Sequence, residues 1–451
     1  MSRQLFGTDG IRGVAGNYPL DEPTVHSTGA AIGQWVVASG REPAVVIGID
    51  TRESGPWIAA TLAQGLASHG ISVRFAGVTT TPGVAYLAKT GPFAAGVMIS
   101  ASHNPYQDNG IKVIGHSGYK LPDDVEASIE RSILSHTANP SPAAPLVPDP
   151  ELDHQYAAHL ASILGNDTPL QGLDLVMDCA NGGASSLAPA LFAQLGARVH
   201  STHASPNGRN INLNCGSLHL GSLRDTVLAR GAALGVAFDG DADRALFVGP
   251  TGRIIDGDAV LLVMARALLA QGRLTGPNGQ PTVVATVMSN LGLERALAAS
   301  GIRMTRTPVG DRYVLEEMLR SGANLGGEQS GHVIFLDHAT TGDGMLTALL
   351  VSAAVLGSGK TIEALTEGLE IFPQLLLNVR VRNKRPLEEL PEVRQEIGAA
   401  ESDFAGSGRV LVRFSGTEPL ARVMVEGPDH ARVSLHAERI AQAIRRSLGA
   451  D

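Results

Sequence analysis

The chain has 451 residues, about three domains at ~150 residues each, so a single small module is excluded. It is 43% hydrophobic but only 4% aromatic, which calls for aliphatic cores, and 53 glycines against the ~7% of average proteins point to tight turns and close approaches of backbone to ligand. A net charge of -9 argues against a general nucleic-acid or anionic-membrane binder, and the two cysteines, Cys179 and Cys215, are too few for a disulfide framework or a thiolate metal site.

The first residues, MSRQLFGTDGIRG, contain no apolar leader core, and the longest mostly apolar stretch, 345–356, is shorter than the ~18 residues of a spanning helix. With reduced cysteines, this is the pattern of a cytoplasmic enzyme.

Three copies of one frame follow along the chain. PAVVIGID (43–50) leads into a helix to about His69, then Gly70 and ISVRFAGV; DLVMDCANG (174–182) leads into a helix with Leu187, Leu191 and Leu195, then Gly196 and ARVHST. PTVVATVMSN (281–290) leads into a helix around Leu293 and Leu297, then Gly301 and IRMTRT. Short β-branched runs joined by helices that end at glycine are the signature of parallel βαβ units. After each copy comes another apolar run ending in polar residues: GVMISASHNP (96–105), GVAFDGDADR (235–244) and LGGEQSGHVIF (325–335). Ligands of open α/β sheets bind at the carboxyl ends of strands, so the three loops are expected to share one site.

Five prolines between 140 and 150 mark a linker, and the turn at 249–252 a softer boundary. Beyond Phe372 and Pro373 the pattern changes to strand, helix, strand, strand and a last helix with Val433, Ala437, Ile440, Ile444 and Leu448 on one face. The expected domains are 1–150, 151–252, 253–371 and 372–451: three α/β domains with mixed sheets, then a smaller α+β domain that swings on the Phe372–Pro373 junction.

The strongest chemical signal is DGDADR. Asp239, Asp241 and Asp243 crowd three carboxylates into five residues, which suits a hard divalent cation. A calcium EF-hand fails, since its sixth and twelfth positions are Arg244 and Pro250, whereas an aspartyl phosphatase also places Asp-x-Asp after an apolar strand and stays open. Such a cation usually shares its shell with phosphate, and Ser102, followed by His103 and with Lys112 downstream, would complete the site as phosphoserine. GGEQSGH offers Glu328, Ser330 and His332 to sugar hydroxyls. In RFSGTEPLAR, Arg413, Ser415, Thr417 and Arg422 surround Gly416 in a turn suited to holding a phosphate without reacting with it. LGSGKT is not a P-loop, because the required first glycine would fall at Ala354, and no Gly-x-Gly-x-x-Gly opens a helix.

FGTDGIRG (6–13), MISASHNPYQDNGIK (98–112), FDGDADR (238–244), VGDRYV (309–314), GEQSGH (327–332) and SGTEPLARVMVEG (415–427), in this order, resemble the α-D-phosphohexomutases, most closely the bacterial phosphoglucosamine mutases. The resemblance implies four domains around a central cleft and a reversible conversion of glucosamine 6-phosphate to glucosamine 1-phosphate through a 1,6-bisphosphate, supplying UDP-N-acetylglucosamine synthesis. It implies that Ser102 is the phosphoserine and shares one Mg²⁺ with Asp239, Asp241 and Asp243. Arg12, Lys112 and Arg244 would neutralise charge, Lys112 or His103 would move the proton, Glu328 and Ser330 would read the sugar, and Arg413, Ser415, Gly416, Thr417 and Arg422 would hold the second phosphate. The implied partner is a small sugar phosphate, with no nucleic acid or membrane, and the chain is a monomer or a dimer. Two positions depart from the family pattern: Pro308 stands where a basic residue is common, and Phe414 where proline or a small residue is.

Overall fold

The computed structural model describes residues 4–7, 9–135, 140–165, 168–415 and 419–449. Thr8 of the first motif, and Gly416 and Thr417 of the phosphate turn, lie outside the described residues.

The first sheet contains β1 (Phe6–Gly7), β2 (Gly10–Val14), β3 (Ala44–Ile49), β4 (Ser72–Val78), β5 (Ala95–Ile99) and β6 (Asp108–Gly115), in the order β1-β2-β6-β5-β3-β4. Its helices are α1 (Glu22–Ser39), α2 (Gly55–Ala67), α3 (Thr81–Thr90) and α4 (Asp123–Ser135). The next part of the chain forms α5 (Pro150–Ser162), β7 (Asp174–Asp178), α6 (Leu187–Gln194), β8 (Arg198–Thr202), α7 (Gly221–Arg230), β9 (Leu234–Phe238), β10 (Ala245–Val248) and β11 (Ile254–Ile255), with sheet order β11-β10-β9-β7-β8. The third sheet, in the order β13-β12-β14-β15, joins β12 (Thr282–Thr286), β13 (Arg303–Thr307), β14 (Leu325–Gly327) and β15 (Val333–Phe335), accompanied by α8 (Gly257–Ala270), α9 (Leu291–Ala299), α10 (Asp311–Ser321), α11 (Gly344–Ser358) and α12 (Ile362–Leu365).

These sheets repeat one plan. The first strand of each copy (β3, β7, β12) pairs in parallel with the strand after its helix (β4, β8, β13) and, on its other side, with β5, β9 or β14. Each of those last strands then turns back into an antiparallel partner, β6, β10 or β15. β5 and β9 are buried along their whole length, as strands covered on both faces must be, so polar residues can emerge only at their ends. The loops carrying Ser102, the three aspartates and Glu328 are therefore the same hairpin loop, built three times at the carboxyl ends of parallel strands.

The proline-rich segment 140–149 has neither helix nor strand, and its end is stitched to the first sheet where Asp149 N–H donates to the Phe75 carbonyl at 2.7 Å and Arg74 Nε to Asp149 at 3.0 Å. The turn at 249–252 is a hairpin tip in the second sheet, where Phe247 pairs with Ile255 and Val248 with Ile254.

Two compact units emerge. One comprises 1–287 and 302–367, the other 288–301 and 368–451. The second contains β16 (Gln374–Arg380), α13 (Pro391–Phe404), β17 (Arg409–Phe414), β18 (Leu420–Glu426) and α14 (His430–Leu448), with an antiparallel sheet in the order β16-β18-β17. The apolar face of α14 expected from its periodicity is fully buried except for Leu448 at 6%. This unit also holds α9, whose N-cap Asn290 accepts from Phe372 N–H at 3.0 Å and donates to the Phe372 carbonyl at 2.9 Å, while Leu291 N–H donates to Glu426 at 2.9 Å. Gly427 N–H donates to the Pro373 carbonyl at 3.1 Å, and the Arg295 guanidinium stacks over the buried Phe372 ring. The Phe372–Pro373 junction is thus held inside the C-terminal unit, and the chain passes from one unit to the other near 287, 301 and 367. Phe414 packs against the core of this unit, which accounts for its bulk. Among the described residues no helix is long and apolar enough to cross a membrane.

Candidate active site

Ser102 lies three residues past β5, where the chain must turn sharply to start β6. Its φ of 52° is left-handed and it is 1% exposed. Its hydroxyl donates to Asp239 Oδ2 at 2.5 Å and stands 3.3 Å from His103 Nδ1. Asp239 follows β9 directly, and the tight turn after it leaves Ala242 at φ 54° with its N–H donating to the Asp239 carbonyl at 3.1 Å. Gly240 is required at this crossing, since a Cβ there would stand 2.4 Å from the Ser102 carbonyl oxygen.

One carboxylate oxygen from each of Asp239, Asp241 and Asp243 lies within 4.8 Å of the others, and all three residues are buried. Burial, then the charges of Asp243 and Asp241, push Asp239 well above the carboxylate range. Asp241 Oδ1 and Asp243 Oδ1 are buried without a hydrogen-bond partner among the described residues. Crowded oxygens with spare lone pairs are what a hard divalent cation requires, so the residues fit Mg²⁺.

A chain of alternating charge runs from this cluster. Lys112 Nζ contacts Asp241 at 2.7 Å and Asp9 at 3.0 Å; Lys120 Nζ contacts Asp9 and Asp311, each at 2.7 Å. Thr81 Oγ1 donates to Asp241 at 2.5 Å. Burial alone would raise Asp9, yet Lys112, Lys120 and Arg12 hold its carboxyl well below its ordinary value. Burial opposes the charge on Lys112, but Asp241 and Asp9 outweigh it and raise its pKa. His103 is shifted down by burial and by the Arg244 and Arg12 charges, which leaves it neutral and able to accept a proton near pH 7.

A cavity of about 400 Å³ opens here, lined by Arg12, His103, Asp243, Arg244, Glu328 and His332 among others. Arg12 pairs with Asp9, and Arg244 N–H donates to Asp239 at 3.2 Å. The Nε atoms of Arg12 and Arg244 are buried without a hydrogen-bond partner among the described residues, a pair of donors suited to phosphoryl oxygens. Glu328 Oε1 accepts from Gly310 N–H at 3.0 Å, and its Oε2 is 3.4 Å from Ser330 Oγ.

His332 lines this cavity as well. It is 3% exposed, its Nε2 accepts from Gly342 N–H at 3.1 Å, and its Nδ1 faces Asp243 at 3.5 Å. Pro308 is exposed just past β13 and supplies no proton-transfer group. Asp9, Lys120, Asp311 and Thr81 escaped the sequence reading. Asp9 and Asp311 sit inside quoted motifs, but Lys120 and Thr81 carry no motif signal.

Arg413 and Arg422 lie on the C-terminal unit, directly opposite each other on β17 and β18. Burial, then the Arg422 charge, shift Arg413 below its ordinary pKa, the mark of two cations held side by side. Ser415 N–H donates to the Leu420 carbonyl at 2.8 Å, and its own carbonyl accepts from Lys384 Nζ at 2.6 Å, which fixes the approach to the turn.

The fold and the first site define a phosphohexomutase, an isomerase. The sequence matches the family Phosphoglucomutase/phosphomannomutase in four parts: alpha/beta/alpha domain I over residues 3–140, domain II over 154–252, domain III over 256–372 and the C-terminal domain over 376–443. It is 58% identical over 452 residues, all of both chains, to a protein of Solibacter usitatus named phosphoglucosamine mutase, and 52% identical to one of that name from Koribacter versatilis, covering 99% of this chain and 98% of that one. Among solved structures, a phosphoglucomutase/phosphomannomutase family protein from Burkholderia thailandensis shares the fold with TM-score 0.79 at 24% identity, covering 98% of this chain and 97% of that one. The chain belongs to the phosphoglucomutase/phosphomannomutase family, in its phosphoglucosamine mutase group.

Proposed function

We propose that this isomerase converts glucosamine 6-phosphate to glucosamine 1-phosphate and back, with phosphorylated Ser102 as donor and acceptor and glucosamine 1,6-bisphosphate as the intermediate. The observation that carries the reading is the Ser102 hydroxyl, 2.5 Å from Asp239, on a turn beside His103 and the arginines of one cavity. The similarity along the whole chain to proteins named phosphoglucosamine mutase supports the amino sugar.

Asp239, Asp241 and Asp243, with the phosphoserine, would hold Mg²⁺, which when bound offsets phosphoryl charge. Arg12 and Arg244 offer to the transferring group Nε donors that make no hydrogen bond among the described residues, and Lys112 fixes Asp241. The sugar hydroxyl attacks phosphorus as the bond to Ser102 Oγ breaks; its proton passes to His103, which stands close enough to return it to Oγ. After the bisphosphate turns over, the same groups run the step in reverse with the other phosphate. Little covalent chemistry is asked of the protein, because phosphoryl transfer is governed by alignment and charge. Glu328 and Ser330 read the sugar hydroxyls, and Arg413, Ser415 and Arg422, with Gly416 and Thr417, hold a phosphate that does not react. Two buried free thiols, Cys179 and Cys215, support a cytoplasmic location.

The test is a coupled isomerisation assay on the 6-phosphates of glucosamine, glucose and mannose, with intact mass to count phosphate. The expected result is the highest kcat/KM for glucosamine 6-phosphate and one phosphate per active chain. Preference for mannose or glucose would overturn the amino-sugar assignment.

A further inference from the structure

Arg52 is fully buried with its partner Asp50, each side chain at 0% exposure, and it touches neither the cavity nor the metal cluster. Its Nε donates to Asp50 Oδ2 at 2.9 Å. The rest of the guanidinium faces the serine loop: one terminal nitrogen donates to the Ser102 carbonyl at 2.9 Å and the Asn104 carbonyl at 3.0 Å, and the other donates to the Pro105 carbonyl. Asp50 Oδ2 also accepts from Ser100 Oγ at 2.6 Å, and Ser100 Oγ in turn accepts from Ser102 N–H at 2.9 Å. Both polar groups of the Ser102 backbone are thus tied to a single ion pair. From the second domain, Asn212 Nδ2 donates to the same Ser102 and Asn104 carbonyls, at 2.8 and 3.0 Å.

Burying an ion pair is expensive, and similar apolar packing would often serve stability as well. A left-handed serine is strained and persists only where its surroundings over-determine it. The guanidinium, with five donors in a rigid fork, can bridge a carboxylate and three carbonyls at once, which a lysine ammonium cannot.

We propose that Arg52 is a positioning residue for phosphoryl transfer, holding the backbone of the Ser102 loop so that Oγ faces the aspartate cluster. The proposal rests on Ser102 being the phosphoryl carrier. Arg52 acts through the loop and does not touch substrate.

The test uses the full-length, phosphorylated, Mg²⁺-loaded enzyme and the variants Arg52→Lys, Asn212→Ala and the double variant, assayed with glucosamine 6-phosphate. Misplacing a reacting group by an ångström costs on the order of 100-fold in rate, so Arg52→Lys is expected to lower kcat by about that factor with KM within about threefold. Asn212→Ala, which leaves no buried charge, is expected to lose about tenfold, and the double variant less than the product of the two because both hold the same carbonyls. Amide exchange should speed up across 100–106 in Arg52→Lys and stay unchanged in β3. A kcat within threefold of the parent, or faster exchange spread evenly over the first domain, would overturn the proposal. If Arg52→Lys does not fold, Asn212→Ala decides: a lower kcat at constant KM supports the role and an unchanged kcat refutes it. Absence of isomerase activity in the parent would refute the catalytic reading instead, and exchange across 100–106 would still test the positioning.

Discussion

Two clusters of the first unit bring metal-type side chains together, and they make a useful contrast. Asp239, Asp241 and Asp243 lie at the end of β9; Asp178, His203 and Cys215 lie at the ends of the neighbouring β7 and β8 and in the loop beyond. In both, the ligand-type atoms fall within 4.8 Å of one another. In the first cluster, Asp241 Oδ1 and Asp243 Oδ1 have no hydrogen-bond partner among the described residues. In the second, Asp178 Oδ1 accepts from Ala180 N–H at 2.9 Å and Oδ2 from Gly216 N–H at 3.0 Å. The Cys215 thiol is pushed up to about 12 by burial and then by the Asp178 charge, so it keeps its proton. The lesson is that proximity alone does not define a metal site. Asp178 anchors two turns through its two oxygens, whereas Asp241 Oδ1 and Asp243 Oδ1 anchor none.

The largest expected effect comes from breaking the first cluster. Asp243→Asn should lower kcat by roughly 10²–10³-fold, the range for removing one preorganised electrostatic contact, and weaken Mg²⁺ binding measured by calorimetry. Asp178→Asn should leave the metal stoichiometry at one and kcat within about threefold. Loss of metal from Asp178→Asn would erase the distinction.

A third buried aspartate extends the comparison. Asp343 caps Leu346 N–H at 2.9 Å and accepts from the Tyr156 hydroxyl at 2.8 Å, and burial lifts its pKa to about 6. The unfolded chain titrates this group near ~3.9, so below that pH both states are protonated and nothing is lost. As pH rises from about 4 to 6 the unfolded chain gives up this proton while the folded state keeps it, and stability falls by up to about 3 kcal/mol. Denaturant titrations should show that slope in the parent and its absence in Asp343→Asn; equal slopes would refute the assignment. The smallest effect is on folding at Asp178. Asp178→Asn leaves one of two buried N–H groups without an acceptor and should cost about 1–3 kcal/mol of unfolding free energy.

The same contrast explains what can be read from the sequence. The Ser102, Asp239 and Glu328 loops are legible because each interrupts a buried β-branched run with non-periodic polar residues, and the threefold frame puts them at one level. Arg413 and Arg422 are legible as a pair because alternation in two adjacent strands faces them across the ladder. The Asp9, Lys112, Lys120 and Asp311 chain is not, since the strand order β1-β2-β6-β5 and helix α10 bring together residues far apart in sequence. The contacts of His332 are hidden for a related reason: its loop advertises a polar side chain, but Gly342 and Asp243 meet its nitrogens only once the fold has formed. The hold of Asn290 on Phe372 is not legible either, because the two residues are distant in sequence.

The central claim is that Ser102 carries the phosphoryl group that reaches the sugar. Its most direct test is a single turnover of enzyme bearing radiolabelled phosphate on Ser102, mixed with unlabelled glucosamine 6-phosphate and Mg²⁺. The account predicts that the label passes into glucosamine 1,6-bisphosphate and then into hexosamine monophosphate, with an acid-stable phosphoserine remaining. Release of the label as inorganic phosphate, or an acid-labile phosphate on Asp239, would contradict it.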